Sequence, residues 1–218
     1  MSRLSGKIQR RSWGKTVEKT ARLVIVAAFL AAGACAKSSR LDNQIAADII
    51  KLPEVFSSEF TLVDQDGKPV ANTDYAGKVM LVYFGYTHCP DVCPLSLGTI
   101  SAALGRLTEK QQAEIAPLFI SVDPERDTPK VMKAFLSFDP RLIGLTGSEE
   151  QIQTARNSFK VAARTEKLPN SALGYEIQHS SLFYIVDRTG KPIAAVRGSA
   201  SPDELAEILR RGLKGSLT

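Results

Sequence analysis

Two cysteines stand four apart in "YFGYTHCPDVCPLSL" (residues 83–97), a stretch that also holds one of the chain's two histidines. The residues before them read as a strand. After them Leu97, Ile100, Leu104 and Leu107 recur three and four apart, a helical stripe. Extended backwards the stripe reaches Cys93 and then Cys89, so both sulfurs are expected on one helix face, at the exposed mouth of the buried stripe. Pro90 suits the first turn, where its missing N–H is not needed. A thiolate at Cys89 would be favoured by the helix dipole.

Such a pair can cycle with a disulfide or hold a soft metal. As a purely structural disulfide it would close so short a loop that the unfolded chain is hardly restrained. The usual redox spacing has two intervening residues, and here there are three. Peroxiredoxins place a threonine three before the reactive cysteine, whereas Thr87 is two before Cys89. A soft metal would need a third ligand. His88, at the strand end, has its side chain on the opposite side from Cys89 and is given a packing or supporting role. His179 lies in "GYEIQHSSLFYIVD", immediately before a second predicted central strand. A histidine there is commonly structural, but two thiolates and one imidazole suit Cu(I) and can also take Cu(II). Zinc would want a fourth ligand, and none is evident. On the residues alone, redox pair and metal clamp both stay open.

The elements that must position these side chains follow in order. "EFTLVDQDGKPV" predicts two short strands around Asp66-Gly67, "KVMLVYFGYT" a buried central strand, and "PLFISVDPERDTP" another that ends in an acidic loop. "SLFYIVDRTGKPIAAVRG" predicts a hairpin around Thr189-Gly190. "TPKVMKAFLSF" and "SPDELAEILRRGL" place a Thr or Ser cap before a first-turn Pro. Ser201 with Glu204, and Ser148 with Gln151, form capping boxes. Leu205, Ile208 and Leu209 share one face of the last helix, which Leu213 continues if the helix survives Gly212. The alternation predicts an α/β domain with one mixed sheet flanked by helices. No repeat and no phosphate-binding glycine loop is present.

Charge is uneven along the 218 residues. Residues 1–34 hold seven of the 28 bases and one of the 23 acids, which leaves 21 bases against 22 acids elsewhere. The pI of 9.1 therefore belongs to the leader, and no basic patch argues for nucleic acid. Behind this basic start, Leu23–Ala36 gives 14 uncharged residues, short for a span of about 20 residues and suited to a secretory signal. "AAGAC" resembles a bacterial lipobox, making Cys35 a lipid-anchor candidate. Cleavage at an Ala-x-Ala site, or an uncleaved anchor, is the alternative. The layout expected is a leader over 1–35, a tether over 36–50 and one domain over 51–218, exported to the periplasmic face of a bacterial cytoplasmic membrane.

Three blocks, "FGYTHCPDVCP" (84–94), "SVDPERDTP" (121–129) and "YEIQHS" (175–180), resemble the Sco/SenC family in order and approximate spacing, over roughly residues 51 to 215. The resemblance implies a thioredoxin-like fold with an N-terminal hairpin extension. It implies copper, as Cu(I) or Cu(II), on Cys89, Cys93 and His179. It also implies Asp91, Asp123 and Asp127 as residues that tune the site or meet a partner, although the last two equally fit the start of the following helix. The function implied is that of a metallochaperone, delivering copper to the dinuclear copper centre of cytochrome c oxidase. A further copper carrier and a thiol reductant would act beside it. The alternative is a thiol–disulfide reductase, with Cys89 and Cys93 as the catalytic pair, that keeps the oxidase subunit's cysteines reduced. Many family members carry an acid where this chain has Gln178.

Overall fold

Strand β4 (Val79–Gly85) is buried along its entire length and forms the centre of an eight-stranded sheet. The computed structural model describes residues 49–169, 171 and 173–217. The leader, Cys35 and most of the expected tether lie outside the described residues. Parallel to β4 runs β5 (Ile115–Ser121), in register from Val79 opposite Ile115 to Gly85 opposite Ser121. Beyond β5 lie β6 (Ile143–Thr146), also parallel, and then the antiparallel hairpin of β2 (Thr61–Asp64) and β3 (Pro69–Ala71). The N-terminal hairpin is thus one edge of the main sheet. On the other side of β4 come β9 (Leu182–Val186), β10 (Pro192–Arg197) and β1 (Ile49–Lys51), all antiparallel to their neighbours. Strand β1 begins inside the segment read as tether.

The near-continuous apolar sequences of β4 and β5 are what a strand covered on both faces requires. Tyr83, Phe84, Phe119, Phe159, Phe183 and Tyr184 are all fully buried, and edge-on ring contacts join Phe84, Phe159 and Tyr184. Among the described residues five α-helices flank the sheet: α1 (Val92–Leu104), α2 (Glu109–Ala113), α3 (Pro129–Phe135), α4 (Glu149–Ser158) and α5 (Pro202–Leu213). Both expected capping boxes form, and Thr128 caps α3 by accepting from the Val131 amide. The α5 helix continues through Gly212 and packs on α1.

A separate two-stranded ribbon stands outside the sheet: β7 (Ala163–Lys167) and β8 (Tyr175–His179), paired from Ala163 opposite His179 to Lys167 opposite Tyr175. The residues alone did not foretell it. Its first strand, "ARTEK", is mostly exposed and shows no apolar alternation. His179 is consequently the last residue of β8, and the central strand β9 follows it from Leu182, as the sequence led one to expect.

Candidate metal centre

Strands β4 and β5 end together, at Gly85 and Ser121, and crevices beyond such carboxyl ends are where α/β folds place ligands. From Gly85 the chain turns through Tyr86–Asp91 into α1. The helix begins at Val92, later than the backward stripe implied, and Pro94 takes the first-turn position expected for Pro90. Cys89 therefore sits in the turn, its amide donating to the Tyr86 carbonyl at 3.3 Å. Cys93 lies in the first turn, and its amide, one of the donors a helix start leaves free, points at Cys89 Sγ from 3.4 Å.

The expectation of two exposed sulfurs is corrected for one of them. Cys89 is half-buried, but Cys93 is fully buried. Burial pushes the Cys93 thiol up to about 12, more than the Tyr86 amide and Tyr83 hydroxyl that donate to it pull it down. Tyr83 reaches Cys93 Sγ from below, with its hydroxyl 3.7 Å away. Gly85 leaves the sulfur its room, since a Cβ there would stand 2.8 Å from Cys93 Sγ. Both cysteines are free thiols.

His179 arrives from the ribbon, with Nε2 at 3.6 Å from Cys93 Sγ. Its Nδ1 lies 3.2 Å from the Ser180 carbonyl. A carbonyl can only accept, so Nδ1 holds the proton and Nε2 turns its lone pair towards the sulfur. Burial lowers the imidazole's pKa, against the opposing effect of the Ser180 carbonyl, and favours the neutral form a soft metal needs. The rings of Tyr83 and Tyr86 meet the imidazole edge-on at 6.3 and 6.0 Å between centroids. Cys89, Asp91, Glu176 and His179 line one open cleft with Tyr86. Cys89 Sγ and the imidazole thus face the cleft while Cys93 Sγ lies buried behind them, and two sulfurs with one aromatic nitrogen are donor types that suit a soft monovalent ion.

The other residues singled out in the sequence divide clearly. Asp91 is exposed at the cap position of α1 and makes no side-chain cap bond. His88 faces away from the cleft, with Nδ1 3.0 Å from Thr87 Oγ1 and 3.9 Å from Asp127 Oδ1. Neither Asp123 nor Asp127 caps the helix after them, which Thr128 does, so the helix-start reading is corrected. Asp127 is buried and accepts from Thr87 Oγ1 at 2.6 Å, Ser121 Oγ at 2.6 Å and the Thr87 amide at 3.1 Å. It ties the cysteine turn to the end of β5. Burial raises its pKa, partly offset by the bonds from Ser121 and Thr87. Asp123 turns instead to β8, accepting from Tyr175 at 2.8 Å. Gln178 donates across the ribbon to Glu166 at 2.7 Å. Gly85, Arg126 and Tyr175 carried no sign of their own in the sequence, although all three lie inside the blocks at 84–94, 121–129 and 175–180.

Fold and site together define a thioredoxin-like domain carrying a cleft-side cluster of two cysteines and one histidine. The SCO1/SenC family model matches residues 50–214, and the chain belongs to that family. It is 38% identical over 153 residues to an SCO2-like protein of Rickettsia felis, covering 70% of this chain and 74% of that one. Among solved structures, Bradyrhizobium japonicum ScoI with copper bound is similar at a TM-score of 0.66 and 41% identity, covering 72% of this chain and 99% of that one. BsSco, described as a member of the Sco family of cytochrome c oxidase assembly proteins with a disulfide switch, is similar at a TM-score of 0.58 and 27% identity. That match covers 75% of this chain and 96% of that one.

Proposed function

We propose that this protein is a copper metallochaperone. Cys89, Cys93 and His179 hold one copper ion and release it to the dinuclear copper centre of cytochrome c oxidase during assembly. The observation that carries the reading is the 3.6 Å approach of His179 Nε2 to Cys93 Sγ across the turn that bears Cys89. Kinship with a copper-bound ScoI supports it. With Cys89 and His179 on the cleft and Cys93 behind them, a recipient's sulfur can enter beside Cys89 before all the donor's ligands have left. Because the Cys93 thiol is protonated at neutral pH, loading releases its proton, and the site must be reduced to load. Asp91 and Glu176, on the rim of the same cleft, offer acidic contacts to a partner. The leader places the domain outside the cytoplasmic membrane, with Cys35 as its lipid anchor. Among the described residues no helix is long and apolar enough to cross a membrane.

Anaerobic Cu(I) competition against a chromophoric chelator tests the site, with the reduced full-length protein run beside His179→Ala. One tight copper in wild type, clearly weakened in the variant, is expected. Equal, weak binding by both would remove His179 from the ligand set and with it the chaperone reading.

The second reading, a thiol–disulfide reductase, is favoured by the placement of Cys89 in the open turn with Cys93 one helical turn behind it. Cys89 thiolate would attack a partner's disulfide and release one partner thiolate. Cys93 would then displace the second partner sulfur, so that two electrons leave the pair as a Cys89–Cys93 disulfide. That activity would survive His179→Ala, and copper loading would not.

A further inference from the structure

His179 sits at the end of a ribbon that, among the described residues, shares no ladder with the main sheet. After His179 the chain enters β9 at Leu182, and the Gly198 amide donates to the Ser181 carbonyl at 3.1 Å, but before it no ladder to the sheet holds β8, so side chains must. Tyr175, Ile177 and His179 alternate onto one face of β8, and each is tethered there. The Ile177 amide donates to the Tyr86 hydroxyl at 3.2 Å. Four residues before His179, Tyr175 is held more elaborately. Its hydroxyl donates to Asp123 Oδ1 at 2.8 Å. The other oxygen of Asp123 accepts from Arg126 Nε at 2.5 Å. The Arg126 guanidinium carbon then lies over the Tyr175 ring, 3.6 Å from its centroid, and 5.8 Å from that of Tyr86. Its Nη1 donates to the Leu173 and Tyr175 carbonyls at 3.1 and 3.3 Å. The result is a closed ring: carboxylate to guanidinium, guanidinium to aromatic face and backbone, phenol back to the carboxylate. Asp123 is 3% exposed and the Arg126 side chain 16%, so the carboxylate–guanidinium pair is largely shielded from competing water.

We propose that Arg126, locked between Asp123 and Tyr175, is a positioning residue for the copper site: it latches β8 so that His179 meets Cys93, without itself touching the metal. The inference rests on the copper reading of Cys89, Cys93 and His179. From Tyr175 to His179 the strand runs about 13 Å, at roughly 3.3 Å per residue, short enough to move as one piece. Lysine cannot take the place of Arg126, because a single ammonium lacks the planar fork that stacks on a ring while donating in two directions.

A double-mutant cycle tests the latch in reduced full-length protein, reading Cu(I) affinity by chelator competition and, without metal, amide hydrogen exchange. Arg126→Gln should weaken Cu(I) binding by about 10- to 100-fold, as loss of an outer support typically does. Arg126→Lys should fall in the same way. On a His179→Ala background, Arg126→Gln should cost nothing further, which a general loss of stability would not produce. In the metal-free variant, amides 175–179 should exchange faster while those of 79–85 keep their wild-type protection. Additive losses in the double variant, or wild-type affinity in Arg126→Gln, would overturn the proposal. Should Arg126→Gln not fold, Tyr175→Phe removes only one O–H, and its smaller loss must likewise vanish when His179 is absent. If His179→Ala binds Cu(I) as wild type does, the copper reading itself fails. The latch is then judged on exchange alone, and unchanged protection at 175–179 sinks it.

Discussion

Cys93 is enclosed by Tyr83, Gly85 and the first turn of α1, whereas Cys89 opens onto the cleft with Asp91 and Glu176. The thiolate is the reactive form, and each unit by which burial lifts the Cys93 thiol above its ordinary value removes about tenfold of it. Burial also shuts out the reagent. Limiting iodoacetamide at neutral pH should therefore alkylate Cys89 first in the reduced, metal-free protein, leaving Cys93 unlabelled until the fold is opened with denaturant. Peptide mass spectrometry reads the order, and equal labelling of both would contradict the buried placement of Cys93. The same asymmetry assigns the attacking and resolving roles in the reductase reading. In the carrier reading it makes Cys89 the ligand that an incoming thiol can reach first.

The junction of β4 with α1 governs where both sulfurs stand, and its tightest point is Gly85. A Cβ there would lie 2.7 Å from Phe119 Cε2 as well as 2.8 Å from Cys93 Sγ, between a buried ring and a helix start that have little freedom to retreat. Gly85→Ala should destabilise the metal-free protein by about 1–3 kcal/mol, the usual cost of overpacking. Gly98, exposed on α1 with open space around its Cβ position, should respond with the opposite sign, gaining up to about 1 kcal/mol as alanine. Urea unfolding of the two variants separates these effects, and a neutral Gly85→Ala would mean that Cys93 repacks freely. Much of this was legible in advance. Long apolar runs marked β4 and β5, and the Ser148–Gln151 and Ser201–Glu204 boxes marked two helix starts, because those signals are local. The start of α1 was misplaced because an apolar stripe does not stop at a helix cap: Cys89 points into the same cleft from a turn. The ribbon was invisible for a related reason. "ARTEK" carries no burial pattern, and its partner β8 is fixed by Asp123 and Arg126, about fifty residues away in sequence.

Across the whole molecule the two ends of α1 are fastened to different parts of the sheet. Its first turn meets β4 and the ribbon. Farther along, Ser101 donates to Asp139 Oδ2 at 2.5 Å, beside the chain that enters β6. Arg141 closes that cluster, with Nη2 2.6 Å from Asp139 Oδ2 and 3.0 Å from the Ser101 carbonyl. Burial alone would raise the Asp139 carboxyl, but the bonds from Arg141 and Ser101 outweigh it and hold the group at about 2, below its ordinary 3.8. A carboxylate with a lowered folded pKa stabilises the fold fully above the unfolded value and loses that contribution as pH falls through the folded one. The loss should therefore run from about pH 4 down to about pH 2. Asp127 works in the opposite sense: raised by burial, it opposes folding as pH climbs, so loosening in acid cannot be assigned to it. Asp139→Asn should be less stable than wild type at pH 7, because the Arg141 guanidinium is left without its counter-charge. From pH 4 to pH 2 its stability should decline less steeply, so that the two proteins converge. Urea midpoints of the metal-free proteins at pH 7, 4, 3 and 2 measure this directly. Parallel decline of wild type and Asp139→Asn would place the acid sensitivity elsewhere and leave the Asp139–Arg141 cluster with no part in holding α1, and the cysteine at its start, in place.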